Sequence, residues 1–438
     1  MQADKTTITD LSIFNHEEEL SVFHHINFTR TVDGKDWLHQ LLSRPLGSIK
    51  EIRETQQVIR QIMAIQSQWP QKILNGTLMV MQRYYETSLN DMPAHPNLVS
   101  GYYYKMLNGP DYGIIRYSVT HFIDFLQGLR DLSDMLKGDD NPSLLKNTID
   151  RIKQLLQREQ VLEILDIDKS KGLTPPIILK YGNFLRHHFK DQIKELMSIY
   201  SMLDAYYSMA TACREYNLCF PVFIEDGAPS VTASGLYHPL LQTPVAYDVN
   251  ITPQKNFMFL TGANMAGKST FIKAAGVAVY LAHIGMGVPA RSMELTLFDG
   301  LLSNIQVVDN IVKGESYFFN EVQRIRKTIE KISDGKKWLI LIDELFKGTN
   351  VQDAMKCSTT VIEGLRKMKN ALFVLSTHLY EIGEGLKQYS NIQFRYFETE
   401  VQDDQLLFSY QLKEGISNDR LGYLILRKEG VVSMLEKL

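Results

Sequence analysis

Residues 262 to 270 read Gly262-Ala263-Asn264-Met265-Ala266-Gly267-Lys268-Ser269-Thr270 and follow directly on the apolar run Phe257-Met258-Phe259-Leu260. A glycine loop placed between a strand and a helix constrains the fold more than any other feature of the chain. It predicts an α/β sheet with a phosphate-gripping turn at a strand end. Gly262 and Gly267 let backbone N–H groups turn inward around phosphate oxygens, Lys268 reaches toward the β and γ phosphates, and the Ser269 hydroxyl is suited to hold Mg2+. The positive end of the helix that follows adds to the attraction. The expected ligand is a nucleoside triphosphate.

A second run, Trp338-Leu339-Ile340-Leu341-Ile342, ends in Asp343-Glu344. Unbroken apolar residues read as a strand buried on both faces of a parallel sheet. Asp343 is expected to reach the metal through water and Glu344 to polarise an attacking water. Phosphoryl transfer depends on positioning and charge neutralisation, and a base beside a metal-held phosphate serves both. A third run, Ala371 to Ser376, delivers Thr377-His378 toward the same sheet edge, where ligands of open α/β sheets bind. His378 is therefore a candidate γ-phosphate sensor. P-loop, acidic strand and histidine strand, in that order, resemble the ABC-type ATPase superfamily.

Between the first two runs lies Asp309 to Glu321, a short polar turn opening an amphipathic helix that continues through Val322, Ile325 and Ile329. Here the chain resembles the MutS mismatch-repair ATPases. Their signature is a Gly-x-Ser/Thr turn at a helix N-terminus that completes the nucleotide site of an opposing subunit. The resemblance implies that Ser316 points at a γ-phosphate bound by a second copy, a role compatible with a plain helix cap. It also implies ATP as the nucleotide, with Mg2+, and Tyr247 as a candidate for stacking on the base.

The likeness runs further. Gly235-Leu236-Tyr237-His238-Pro239-Leu240 and Val288-Pro289-Ala290 resemble segments flanking the family's P-loop. Lys347-Gly348-Thr349-Asn350 and Asp353 stand near its Gly-Arg-Gly-Thr and an interface aspartate, with Phe346-Lys347 in place of Gly-Arg. Asn27-Phe28-Thr29-Arg30-Thr31 with Gly34 resembles the start of its helical core and lever region. Gln306 sits where a glycine is common. The mismatch-reading and connector domains have no room ahead of these residues, and Phe223-Ile224-Glu225 reads as a strand end. Gly415 to Tyr423 resembles the segment leading into a dimerising helix-turn-helix, of which only the beginning fits.

Residues 1–225 are thus expected to form an α-helical core and lever domain, and 226–438 an ABC-type α/β P-loop domain. Helical spacing recurs at Ile115, Val119, Phe122, Leu126, Leu129 and Leu132, and again at Phe189, Ile193, Leu196, Tyr200 and Leu203, with Pro175-Pro176 breaking the series. Asp226-Gly227-Ala228-Pro229-Ser230 reads as the boundary. The pairs and triplets Tyr84-Tyr85 and Tyr102-Tyr103-Tyr104 read as packing or surface tyrosines.

A net charge of -3 over 438 residues gives no basic footprint, so DNA contact requires a local patch or a channel made by a dimer. Cys213, Cys219 and Cys357 cannot all pair, which suits a reducing cytoplasm. Ala274 to Ala290 reads as the buried helix after the P-loop and not as a membrane span. The expectation is a homodimer with shared nucleotide sites, acting as a DNA clamp or structure sensor and open to a repair-protein partner. The rival is an ATP-switched protein whose levers grip another protein; a nucleotide kinase stands third.

Overall fold

The computed structural model describes residues 1–305, 317–402, 405–417, 427 and 431–435. The chain forms two units. One comprises Met1–His25, Arg44–Arg53 and Glu215–Leu438, and the other Ile26–Ser43 and Glu54–Arg214. This corrects the expected arrangement of 1–225 as one helical domain: the first 25 residues and a second short segment belong with the nucleotide unit. The reason is a short N-terminal strand. Gln2–Ala3 (β1) pairs in parallel with Gly300–Asn304 (β7), beginning with a 2.7 Å bond from Gln2 N–H to the Asp299 carbonyl.

The nucleotide unit has two sheets. In chain order its remaining strands are Val222–Ile224 (β2), Val231–Leu236 (β3), Tyr247–Ile251 (β4), Phe257–Thr261 (β5), Ser292–Thr296 (β6), Trp338–Asp343 (β8), Ala371–Ser376 (β9), Ile392–Gln402 (β10) and Gln405–Glu414 (β11). The larger sheet runs β1-β7-β8-β9-β5-β10-β11, parallel throughout except for the β10–β11 hairpin at its edge. Every residue of β5, β7, β8 and β9 is buried. That is why their sequences are apolar runs and not alternating patterns. The smaller sheet runs β2-β6-β3-β4, and β2 ends at Ile224 as the sequence suggested.

The helix Lys268–Ile284 follows the P-loop and is buried almost along its whole length, which accounts for the apolar stretch that begins at Ala274. Among the described residues no helix is long and apolar enough to cross a membrane.

The second unit is built from helices. Gly109–Met135 buries Ile115, Val119, Phe122, Leu126, Leu129 and Leu132, and Lys190–Glu215 buries Ile193, Leu196, Tyr200 and Leu203, the faces their spacing predicts. Pro175-Pro176 interrupts the pattern because Pro175 opens a new helix, Pro175–Asn183, where its missing N–H is harmless. The Asn27–Thr31 motif is explained by a buried carboxylate. Asp204 accepts the Thr31 N–H at 2.9 Å and the Thr31 hydroxyl at 2.7 Å, while Thr31 Oγ1 accepts the Gly34 N–H at 3.0 Å and caps the helix Val32–Leu42. A Cβ at Gly34 would lie 2.2 Å from Asp204 Oδ2, so only glycine fits. Tyr84 and Tyr104 pack inside, whereas Tyr102 and Tyr103 lie on the surface.

Candidate nucleotide site

Three neighbouring strands deliver the site. In the order β8-β9-β5, their carboxyl ends carry Asp343-Glu344, Thr377-His378 and the P-loop side by side, tied by Glu344 N–H to the Ser376 carbonyl at 3.0 Å and Thr377 N–H to the Leu260 carbonyl at 2.9 Å. Loops leaving adjacent parallel strands at the same edge enclose a cleft, here of 430 Å³. Asn264, Met265, Gly267, Lys268, Ser269, Thr270, Glu344 and His378 all line it.

The loop's shape rests on left-handed backbone at Gly262 (φ 141°) and Gly267 (φ 109°). At Gly267 a side chain would be strained and would also meet the Tyr410 ring at 3.4 Å. Met265 adopts φ 68° and leaves its side chain 75% exposed, so the turn places it at the rim. Ala266 is buried beneath the loop, and Ala263 likewise. Lys268 Nζ donates to the carbonyls of Gly262 and Ala263 at 2.7 and 2.8 Å. Burial pulls its ammonium down to about 8, against the opposing pull of Glu344 and Asp343.

Ser269 Oγ donates to Asp343 Oδ2 at 2.5 Å, and the other carboxylate oxygen of Asp343 accepts the Ser376 hydroxyl. Asp343 is buried, at 9% exposed, and is held from both sides. One hydroxyl and one carboxylate beside a phosphate cradle fit Mg2+, which takes few protein ligands and fills its remaining positions with phosphate and water. No group of three or more acidic, histidine or cysteine side chains placed to hold a metal ion occurs among the described residues, and this mode of binding requires none.

Glu344 lies just past β8 in a left-handed conformation (φ 67°) that swings its side chain into the cleft. Its Oε1 is 2.7 Å from His378 Nε2 and its Oε2 is 3.0 Å from Lys347 Nζ. Burial alone would raise this carboxyl, but the hydrogen bond and charge of His378, with Lys347, hold it down to about 2. It is an ionised acceptor at the mouth of the cleft lined by the glycine loop, with a histidine beside it.

The sequence did not point to Leu241, Thr243, Val245 and Tyr410, which complete the lining. Tyr247 also lines the cleft, but its ring is buried and edge-on to Phe271 and Phe397, with centroids 5.4 and 5.7 Å away. Tyr410 is 39% exposed and so offers more open ring surface in the same cleft. The helix expected after the signature turn is Tyr317–Ile332; Ile325 is buried, while Val322 and Ile329 are each 38% exposed. Asp353 lies in the first turn of the helix Val351–Leu365, where its N–H donates to the side-chain oxygen of the cap, Asn350, at 2.9 Å. Ser316 and Gln306 lie outside the described residues, as do residues 418–423 of the C-terminal motif.

An α/β sheet with a P-loop, an acidic pair and a histidine on adjacent strand ends defines the class of P-loop nucleoside triphosphate-binding proteins. Comparison with known proteins places it more closely. Residues 258–434 match the family model described as MutS domain V. The chain is 29% identical over 285 residues to the DNA mismatch repair protein MutS of Petrotoga mobilis, covering 64% of this chain and 34% of that one. It is 30% identical over 260 residues to MutS of Oceanobacillus iheyensis, 56% of this chain and 29% of that one. It is 29% identical over 235 residues to the DNA mismatch repair protein spellchecker 1 of Drosophila melanogaster, 52% of this chain and 25% of that one. Over residues 258–434 the chain is thus similar to the MutS family, and the curated relatives it matches are mismatch repair proteins. Its matches span about a third or less of the length of these relatives.

Proposed function

We propose that this chain binds and hydrolyses ATP at a dimer interface and uses the cycle to open and close a DNA clamp or DNA-structure sensor in repair or recombination. The observation that carries the reading is the meeting of Ser269 with Asp343 and of Glu344 with His378 above one P-loop. In this reading the backbone of Gly262 to Gly267 and Lys268 hold the phosphates. Asn264, Met265, Ala266 and Thr270 belong to the same cradle. Ser269 and Asp343 would hold Mg2+, which supplies neutralisation of phosphate charge when bound. Glu344 orients the attacking water and accepts its proton, His378 reads the γ-phosphate, and Ser316 of a second copy closes the site. The helical unit serves as core and lever. The names of the relatives support DNA as partner, and the same reading places the chain in the cytoplasm.

A second reading is favoured by one surface. The helix Leu98–Leu107 leaves Leu98, Val99, Met106 and Leu107 between 58% and 80% exposed, an apolar face more suited to protein than to phosphate. An ATP-switched protein that grips another protein would use such a face.

The test is ATP hydrolysis with and without linear, branched and mismatched DNA, beside Glu344→Gln. The variant should lose about 10²- to 10⁴-fold in kcat while still binding ATP, the usual weight of a general base. Stimulation by one DNA form, with affinity that falls steeply as salt rises, supports the clamp. Hydrolysis indifferent to every DNA form, with no salt-sensitive binding, supports the protein-gripping switch instead.

A further inference from the structure

Glu321 projects from the helix Tyr317–Ile332 and is only 5% exposed. Its Oε1 accepts the Lys347 N–H at 3.1 Å and its Oε2 the Gly348 N–H at 3.2 Å. One buried carboxylate thus holds two successive amides of the turn that follows Glu344. That turn needs support, because Glu344 (φ 67°) and Phe346 (φ 57°) both occupy left-handed backbone without being glycine. The same helix grips it a second time through Phe318, whose ring centroid lies 5.7 Å from that of Phe346. From this turn the Lys347 side chain reaches back to Glu344 Oε2, while His378 faces Oε1.

We propose that Glu321 and Lys347 form a relay that holds Glu344 in a resting pose and passes movement of the helix Tyr317–Ile332 to it. This rests on the reading of Glu344 as the water-orienting base. A carboxylate that positions water must present an oxygen to that water, and here Oε1 faces the His378 ring and Oε2 the Lys347 ammonium. Lys347 has to withdraw for Oε2 to serve. Its backbone is fastened by Glu321 to the helix, so displacement of the helix moves the turn and draws the ammonium away. Lys347 is in this sense a positioning residue with an inhibitory effect, and Glu321 is the tether through which the helix releases it.

The experiment compares Lys347→Gln, Lys347→Arg, Glu321→Gln and the double variant K347Q/E321Q in full-length protein. It measures steady-state ATP hydrolysis, binding of a fluorescent ATP analogue, and amide hydrogen exchange over residues 344–350. K347Q should raise kcat roughly two- to fivefold, the weight of a partly exposed ion pair, with KM unchanged. K347R should restore the wild-type rate. E321Q should raise kcat similarly and speed exchange at Lys347 and Gly348, and the double variant should rise no further. A lower kcat or raised KM in K347Q would mean that Lys347 serves the phosphates, overturning the relay. An unchanged kcat, additive effects, or unchanged exchange in E321Q would each overturn it as well. Wild-type protein that binds no nucleotide would instead overturn the ATPase reading, and the exchange measurement would still decide whether Glu321 holds the turn.

Discussion

His283, near the end of the P-loop helix, is sealed in the interior, with Nδ1 2.9 Å from the Val279 carbonyl and Nε2 accepting the Phe298 N–H at 3.0 Å. The acceptor at Nε2 fixes the neutral ring with its proton on Nδ1. Burial pushes the imidazole down to about 4 from its ordinary 6.5, only partly offset by these backbone bonds. His238, also buried, is pushed down to about 4 in the same way. The unfolded chain takes up these protons near 6.5 and the folded chain only near 4. Stability is therefore complete above pH 6.5 and declines as pH falls toward 4, by about 3 kcal/mol for His283 alone. Urea denaturation at pH 7 and pH 5 checks this, and His283→Gln should flatten the slope. At this scale the meeting of the glycine loop, Asp343, Glu344 and His378 at one sheet edge was legible, because each sits next to a strong local pattern. Glu321 and Tyr410 were not. Their roles arise from a helix and a hairpin brought beside the site by pairings that no local spacing encodes.

The strands show where such pairings become demanding. Gly300 begins β7, and a Cβ there would lie 2.0 Å from the ring of Trp338 on β8. The indole cannot step aside, being 1% exposed and anchored by its N–H to Asp334 Oδ1 at 2.9 Å. Gly300→Ala should cost about 1–3 kcal/mol through overpacking. Gly364, in the helix Val351–Leu365, meets nothing within 4 Å, so Gly364→Ala should stabilise by about 0.4–1 kcal/mol. Thermal melts of the two variants should shift in opposite directions. Apolar runs announced β5, β8 and β9, since strands buried on both faces have to be apolar throughout. A strand as short as Gln2-Ala3 has no periodicity to read, and it is the reason the expected domain boundary failed.

For the whole molecule, the proposal of a shared site makes Ser316 a contact between copies. Ser316→Arg should abolish ATP-dependent dimers while leaving ATP binding intact, as read by light scattering with and without the nucleotide. A monomer that hydrolyses ATP at an unchanged rate would refute the shared site. The dimer and the nucleotide's identity came from family likeness, whereas the two-unit division came from long-range packing. The helical unit is inserted between parts of the nucleotide unit, so the latter is assembled from three separate stretches of chain.

That assembly is pinned by Asp10. Its buried carboxylate accepts the Ser303 hydroxyl at 2.6 Å and the Ile305 N–H at 2.9 Å, and it lies 3.7 Å from Arg324, while Thr7 Oγ1 accepts the Ser303 N–H at 3.0 Å. Asp10 and Ser303 are 293 positions apart. At ribosomal speeds of about 5–20 residues per second, Asp10 emerges roughly 15 to 60 seconds before Ser303 is made. A segment that leaves the ribosome long before its partners thus finds its place only after they are made. Until then an acidic side chain built for the interior waits in water, and the nascent nucleotide unit is open along the flank it will cover.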